Sequence, residues 1–205
     1  MSPFEDDRVL AIVRYREPCD LGAVVDALRA GGIGAIEITA DTPGALEAVA
    51  AAREAGAPVA AGTIRTVEEA RAFTAAGAAF LVSPGLVPQI VREGKELGVP
   101  TVPGVLSPTE VLGAVTAGAS TVKLFPASLG GVRYLGALRG PFPDVRFIPT
   151  GGIAIEDVPR WLEAGAACVG LGSALAGDAP PRTRSDLERI TDEALRAVDL
   201  SGADA

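Results

Sequence analysis

An α/β fold, and within that class a compact (β/α)8 TIM barrel, is what three features of this sequence predict. Short apolar runs recur behind glycines, helix-capping motifs open the stretches between them, and the glycines keep a nearly constant spacing. Gly31, Gly56, Gly77, Gly98 and Gly118 stand 25, 21, 21 and 20 residues apart. Eight runs result: VLAIVR, IGAIEIT, APVAAGT, AAFLVS, VPTVPG, ASTVKLF, VRFIPTGG and AACVGLG. Runs that stay apolar on both alternating faces suit strands of a parallel sheet covered on both sides. Eight similar strand–helix–glycine units favour a closed barrel over its rival, an open doubly wound sheet. With 205 residues, against about 250 in a typical barrel, the connecting loops must be short. A single domain over 1–205 follows.

The elements can be justified in order. Val9 to Arg14 forms the first strand, and Asp20 caps a helix from Leu21 to Ala30. Leu21, Val24, Val25 and Leu28 keep the i, i+3, i+4, i+7 rhythm of one buried stripe. In the second run Ala35, Glu37 and Thr39 share one face, while Ile36 and Ile38 share the other. Thr66-Val67-Glu68-Glu69, Ser107-Pro108-Thr109-Glu110 and Ser185-Asp186-Leu187-Glu188 each read as a capping box, the second with proline at the first helical position. The recurrent glycines stop the helices. The sixth run sets Thr121, Lys123 and Phe125 on one face and Val122 and Leu124 on the other. IPTGGI ends the seventh strand and VGLGSAL the eighth. Asp178 to Arg184 (DAPPRTR) reads as a linker into a last helix of about 185–199, and SGADA as a frayed tail.

Composition removes several functions. A mean hydropathy of +0.33 excludes disorder. No apolar run is long enough for a membrane span, and MSPFEDDR is too acidic for a signal peptide. A cytoplasmic location without a membrane partner is expected. The net charge of −8 argues against nucleic acid as a partner. There is no histidine, which removes histidine bases, Ser-His-Asp triads and histidine-ligated metals. No cofactor and no metal are expected. Cys19 and Cys168 lack CxxC spacing and read as buried, inert thiols of a reducing compartment. Chemistry is left to carboxylates, lysine, tyrosine, hydroxyls and backbone.

A barrel carries its active site at the C-terminal strand ends. Those ends supply Arg14, Glu37 with Thr39, Thr63, Ser83, Gly104, Lys123, Thr150 and Ser173. Lys123 stands out. The chain has 18 basic residues, of which only Lys95 and Lys123 are lysines. Lys95 falls on a predicted helix surface, whereas Lys123 interrupts a buried strand. A buried ammonium is costly unless it is paired or loses its proton, and the neutral amine is a nucleophile for carbonyls. Glu37 is the matching carboxylate: counter-ion, proton shuttle, or both. The structural alternative is a plain buried Lys123–Glu37 ion pair. The glycine-rich turns after strands seven and eight suit a phosphate held by backbone N–H groups; singly, each could be a tight connection.

At this point the motifs EIT, AGT, SPG, PGV, VKLFPA, GPFPDVRFIPTGGI and GLGSAL occur in order between Val9 and Leu175. The chain resembles the class I 2-keto-3-deoxy-6-phosphogluconate (KDPG) and 4-hydroxy-2-oxoglutarate (KHG) aldolases. The resemblance implies a compact barrel, a homotrimer, and a Schiff-base lysine matching Lys123 with a catalytic glutamate matching Glu37. It implies a pyruvate pocket at Thr63, Pro84 and Phe125. Phosphate contacts are implied at Thr150, Gly151, Gly152, Gly172 and Ser173. One position departs: where many members carry an arginine four residues after the glutamate, this chain has Asp41. Other members place that arginine at the end of the first strand, so carboxylate binding falls to Arg14, whose fork suits it. The implied substrate is a small 2-keto acid, a phosphorylated sugar acid cleaved to pyruvate and glyceraldehyde 3-phosphate, with 4-hydroxy-2-oxoglutarate as a second. Two other readings use the same residues: a non-covalent phosphosugar isomerase or epimerase, and a non-catalytic phosphometabolite-binding barrel.

Overall fold

The computed structural model describes residues 7–202. Most of the acidic N-terminal segment, and the last three residues of the expected tail, lie outside the described residues. The chain runs β1 (Val9–Val13), α1 (Leu21–Ala30), β2 (Ala35–Thr39), α2 (Ala45–Glu54), β3 (Ala60–Gly62), α3 (Val67–Ala76), β4 (Leu81–Val82) and α4 (Pro88–Glu96). It continues through β5 (Thr101–Val102), β6 (Gly104–Val105), α5 (Pro108–Ala117), β7 (Thr121–Leu124), α6 (Gly131–Arg139), β8 (Arg146–Pro149) and α7 (Val158–Glu163). β9 (Val169–Leu171), α8 (Ser173–Ala176) and α9 (Arg184–Ser201) complete it.

Each of the eight apolar runs contains strand, and all strand pairs are parallel. The ladder nevertheless draws two sheets rather than one ring. One has the order β5-β4-β3-β2-β1-β9 and the other β6-β7-β8. The architecture is therefore an α/β fold whose parallel sheet is open, a coarser result than the closed eight-stranded ring expected. Proline explains one interruption: the fifth run splits into β5 and β6 around Pro103, which has no N–H to donate to a ladder. At the other, β8 and β9 meet only through an isolated parallel bridge between Thr150 and Gly170.

Period-two alternation divides the core in two. Leu10, Ile12, Ala35, Ala60, Phe80, Val82, Val102, Ile148 and Cys168 form one buried cluster between the sheets. Their outward neighbours, among them Ala11, Val13, Ile36, Ile38, Val122 and Leu124, join the helices in a larger cluster. Burying one such isoleucine or leucine stabilises by about 1.5–3 kcal/mol. A one-residue slip of β2 would drive Glu37 into the apolar shell, so Ile36 and Ile38 lock its register.

The caps largely follow the sequence. The Asp20 carboxylate accepts from the Ala23 N–H at 3.0 Å. Capping boxes form at Thr66/Glu69 and at Ser107/Glu110, the latter with Pro108 at the helix start. The third box is corrected. Thr183, not Ser185, caps α9, and the partner at the third helical position is Asp186 rather than Glu188. The Asp186 carboxylate accepts from the N–H groups of Arg182 and Thr183 at 2.9 and 2.8 Å. Two donors captured at once favour the earlier start, so the helix gains Arg184 from the expected linker and Ser201 from the expected tail. Among the described residues, no helix is long and apolar enough to cross a membrane.

Candidate active site

Above the inner cluster, at the C-terminal strand ends, lies a cavity of about 480 Å³. Arg14, Thr63, Pro84, Lys123, Phe125, Thr150, Gly151, Gly152, Gly172 and Ser173 all line it. Glu37 does not line it but lies against it, its Oε1 3.6 Å from the Lys123 Nζ. The ten lining residues and Glu37 are the catalytic and substrate-binding positions that the resemblance implies, and they lie at one place.

The Lys123–Glu37 pair spans the two sheets. Glu37 sits in β2, flanked in register by Ile12 and Ala60. Lys123 sits in β7, flanked by Gly104 and Ile148. The charges therefore meet across the interior rather than along a ladder. Glu37 is 0% exposed and Lys123 7%. Neither Glu37 oxygen has a hydrogen-bond partner among the described residues. The charge is compensated, yet its acceptor capacity is unused. A buried pair of this kind is weak as a stabilising device, because desolvation offsets much of the attraction. It is well suited to accept a proton from a substrate hydroxyl or a water.

Gly62 makes the room. A Cβ there would fall 1.9 Å from Glu37 Oε1 and 2.4 Å from Cδ. Gly62→Ala is expected to displace the carboxylate, destabilise the fold by about 1–3 kcal/mol and lower kcat. Thermal melts beside steady-state rates check this; an alanine variant with wild-type values of both would refute the packing argument.

Thr63, the next residue, has φ +58°. That region is costly for a β-branched side chain, and such strain concentrates at functional sites. The strained residue meets Arg14, whose Nη2 donates to the Thr63 Oγ1 at 2.6 Å. The Arg14 Nε faces Asp41 Oδ1 at 3.9 Å. Asp41 thus points toward the arginine and does not line the cavity. Braced on two sides, the guanidinium still has N–H groups for a planar anion. Pro84 is set by its turn, where the Ser83 hydroxyl donates to the Gly85 carbonyl at 2.8 Å. The Phe125 ring lies with its centroid 5.7 Å from the Lys123 Nζ, within cation–π range.

The opposite rim is glycine-rich. Gly151 and Gly152 have φ +96° and +72°, and a Cβ on Gly152 would come 2.8 Å from the Ser128 Cβ. This compact turn and the Gly172–Ser173 corner expose backbone toward the cavity, as an anion requires. Tyr15 anchors the second corner: its buried hydroxyl donates to the Ala176 carbonyl at 2.8 Å. Burial, with the Cys19 thiol nearby, pushes the Tyr15 phenol up to about 12, so it stays a donor.

Three members of the expected polar ring do other work. Thr39 shares a hydrogen bond with Thr42 at 3.0 Å, Ser83 holds its own turn, and Gly104 leaves space for the Pro84 carbonyl. Lys95 is exposed on α4, as expected. Cys168 is buried, with its thiol pushed up by desolvation, but Cys19 is only half-buried, which corrects the expectation of two buried thiols. Sequence reading missed Arg16, Gly177 and Asp178, which also line the cavity. Alternation could have found Arg16, two residues beyond Arg14. No pattern marked Asp178.

A family model described as KDPG and KHG aldolase matches residues 2–192. A 2-dehydro-3-deoxy-phosphogluconate aldolase of Treponema pallidum is 42% identical over 181 residues, 83% of this chain and 86% of the relative. One from Pseudoalteromonas atlantica is 38% identical over 95% of this chain and 92% of its own length. Among solved structures, a KDPG aldolase of Legionella pneumophila, with pyruvate captured as a covalent carbinolamine, matches with a TM-score of 0.83. It is 32% identical and covers 94% of each chain. With the matched region running from β1 into α9 and holding every residue of the cavity, the chain belongs to the KDPG and KHG aldolase family.

Proposed function

We propose that this chain is a metal-independent class I aldolase in which Lys123 forms a Schiff base with a 2-keto acid. Its preferred substrate is 2-keto-3-deoxy-6-phosphogluconate, cleaved to pyruvate and glyceraldehyde 3-phosphate, and 4-hydroxy-2-oxoglutarate is a second one. The observation that carries this reading is the enclosed Lys123 Nζ, 3.6 Å from a carboxylate with unused acceptors.

Lys123 passes a proton to Glu37, 3.6 Å away, and its amine attacks the C2 ketone; Glu37 returns the proton as water leaves the carbinolamine, giving a protonated imine and a carboxylate again. Glu37, directly or through a water, accepts the C4 hydroxyl proton. The C3–C4 bonding pair then flows into the imine, which serves as electron sink while the aldehyde departs. Protonation of the resulting enamine at C3 and hydrolysis return pyruvate and the free amine. Arg14 and Thr63 hold the carboxylate end, with Pro84 and Phe125 walling the pyruvate pocket. Thr150, Gly151, Gly152, Gly172 and Ser173 hold the phosphate. In this reading the two sheets act as one eight-stranded ring, β5 and β6 counting as a single strand. The family resemblance further implies a cytoplasmic homotrimer.

Incubation with pyruvate and borohydride tests the chemistry. One reduced pyruvyl adduct on Lys123, absent without pyruvate, is expected by intact mass and peptide mapping. A folded protein that acquires no adduct would remove the imine and leave the non-covalent readings. A phosphorylated substrate turned over no better than 4-hydroxy-2-oxoglutarate would remove the phosphate assignment alone.

A further inference from the structure

The geometry points to Arg16 as the cation that receives the substrate's terminal phosphate, a specificity residue distinct from the arginine of the carboxylate end. This deepens the aldolase reading above and rests on it. Three cationic side chains line the cavity: Arg14, Arg16 and Lys123. Lys123 is engaged with Glu37, and Arg14 with Thr63 and Asp41. Arg16 has no ion-pair partner among the described residues, and the adjacent Glu17 pairs with Arg182 instead. Of the three, only Arg16 enters the cavity uncommitted.

Its direction follows from its neighbour. Tyr15 is buried, its N–H donating to Thr42 Oγ1 at 3.3 Å and its hydroxyl to Ala176. Tyr15 is turned into the core, and the flanking Arg14 and Arg16, just past the end of β1, both line the cavity. β1 pairs with β9, with Ala11 opposite Leu171. Past that pairing, Arg16 shares the cavity with Ser173, Gly177 and Asp178 of the segment that follows β9. The tripeptide Arg14-Tyr15-Arg16 therefore offers one guanidinium to the carboxylate end and one to the phosphate end of an extended substrate. Backbone N–H groups supply hydrogen bonds to a phosphate but no full charge. In a chain of net charge −8, with Asp178 as the acid on this stretch of wall, the exposed Arg16 guanidinium supplies the missing countercharge.

Arg16→Gln and Asp178→Asn test the assignment, with glycerol 3-phosphate binding measured by calorimetry and pyruvate capture measured by borohydride titration. Arg16→Gln is expected to weaken glycerol 3-phosphate about tenfold, the loss of one charge-assisted contact. The pyruvate concentration for half-maximal capture should not change. Asp178→Asn is expected to tighten glycerol 3-phosphate severalfold. With substrates, Arg16→Gln should raise KM for the phosphorylated sugar acid and leave 4-hydroxy-2-oxoglutarate untouched. Unchanged glycerol 3-phosphate affinity overturns the proposal, as does a loss that falls on pyruvate capture instead. A wild-type protein that captures no pyruvate, yet loses phosphate affinity in Arg16→Gln, would overturn the aldolase reading while Arg16 keeps its anion role. Arg16 is exposed, so the variant is expected to melt like the wild type.

Discussion

Lys123→Met is expected to abolish pyruvate capture by borohydride and to lower kcat by roughly 10⁴-fold or more, since no other group supplies the covalent electron sink. Among the described residues, the only other lysine is Lys95, exposed on α4 and outside the cavity. The same substitution leaves Glu37 wholly buried without its counter-ion. An orphaned buried charge costs about 3–5 kcal/mol, so a clear fall in the denaturation midpoint accompanies the loss of activity. Adding Glu37→Gln to Lys123→Met removes the orphaned charge and is expected to restore most of that stability without restoring capture. The double variant thus separates chemistry from folding. Retained capture in a folded Lys123→Met protein would move the nucleophile elsewhere. A single variant as stable as wild type would show that the pair contributes nothing to the interior.

Glu37→Gln, made alone, is expected to lower kcat by roughly 10²–10⁴-fold, the range for removing a positioned acid–base group. Glutamine keeps the shape that Gly62 accommodates but cannot take up the C4 hydroxyl proton. Pyruvate capture is expected to persist at a reduced rate, because the nucleophile is still present and water can serve dehydration. Following imine formation and aldol cleavage separately, in single turnovers, distinguishes the two steps. Equal slowing of both would make Glu37 a general shuttle. Loss of cleavage with nearly normal capture would confine it to the C4 proton. Wild-type cleavage would exclude it from the reaction.

The glycine period, the capping boxes and the alternation in β2 and β7 were legible because they are local. A helix stop, a box of four residues and a period-two pattern need no distant partner. Lys123 and Glu37 were legible for a related reason: each is a charge in a run otherwise apolar, a conflict that function commonly explains. The start of α9 was misplaced by two residues of capping choice, because Thr183 and Ser185 both precede acids at the right spacing. Only the backbone path decides which box closes. The interruption at Pro103 was visible as a proline, but its consequence, two sheets rather than one ladder, depended on strand pairing.

Which residues face inward, where most helices begin and stop, and which chemistry remains once histidine is absent can all be read from the amino-acid order alone. Those are properties of short-range periodicity and of side-chain type. The tertiary structure decided how the inward-facing residues meet. The approach of Lys123 to Glu37 across the sheets, the space left by Gly62, the left-handed Thr63 beneath Arg14 and the turning of Asp41 toward that arginine all involve residues far apart in the chain. Arg16 shows the same division. Its place two residues past Arg14 is legible in the sequence, but its freedom from ion pairs among the described residues and its place in one cavity with Ser173 and Asp178 come only with the fold. Distances between elements come from packing, which no local pattern encodes.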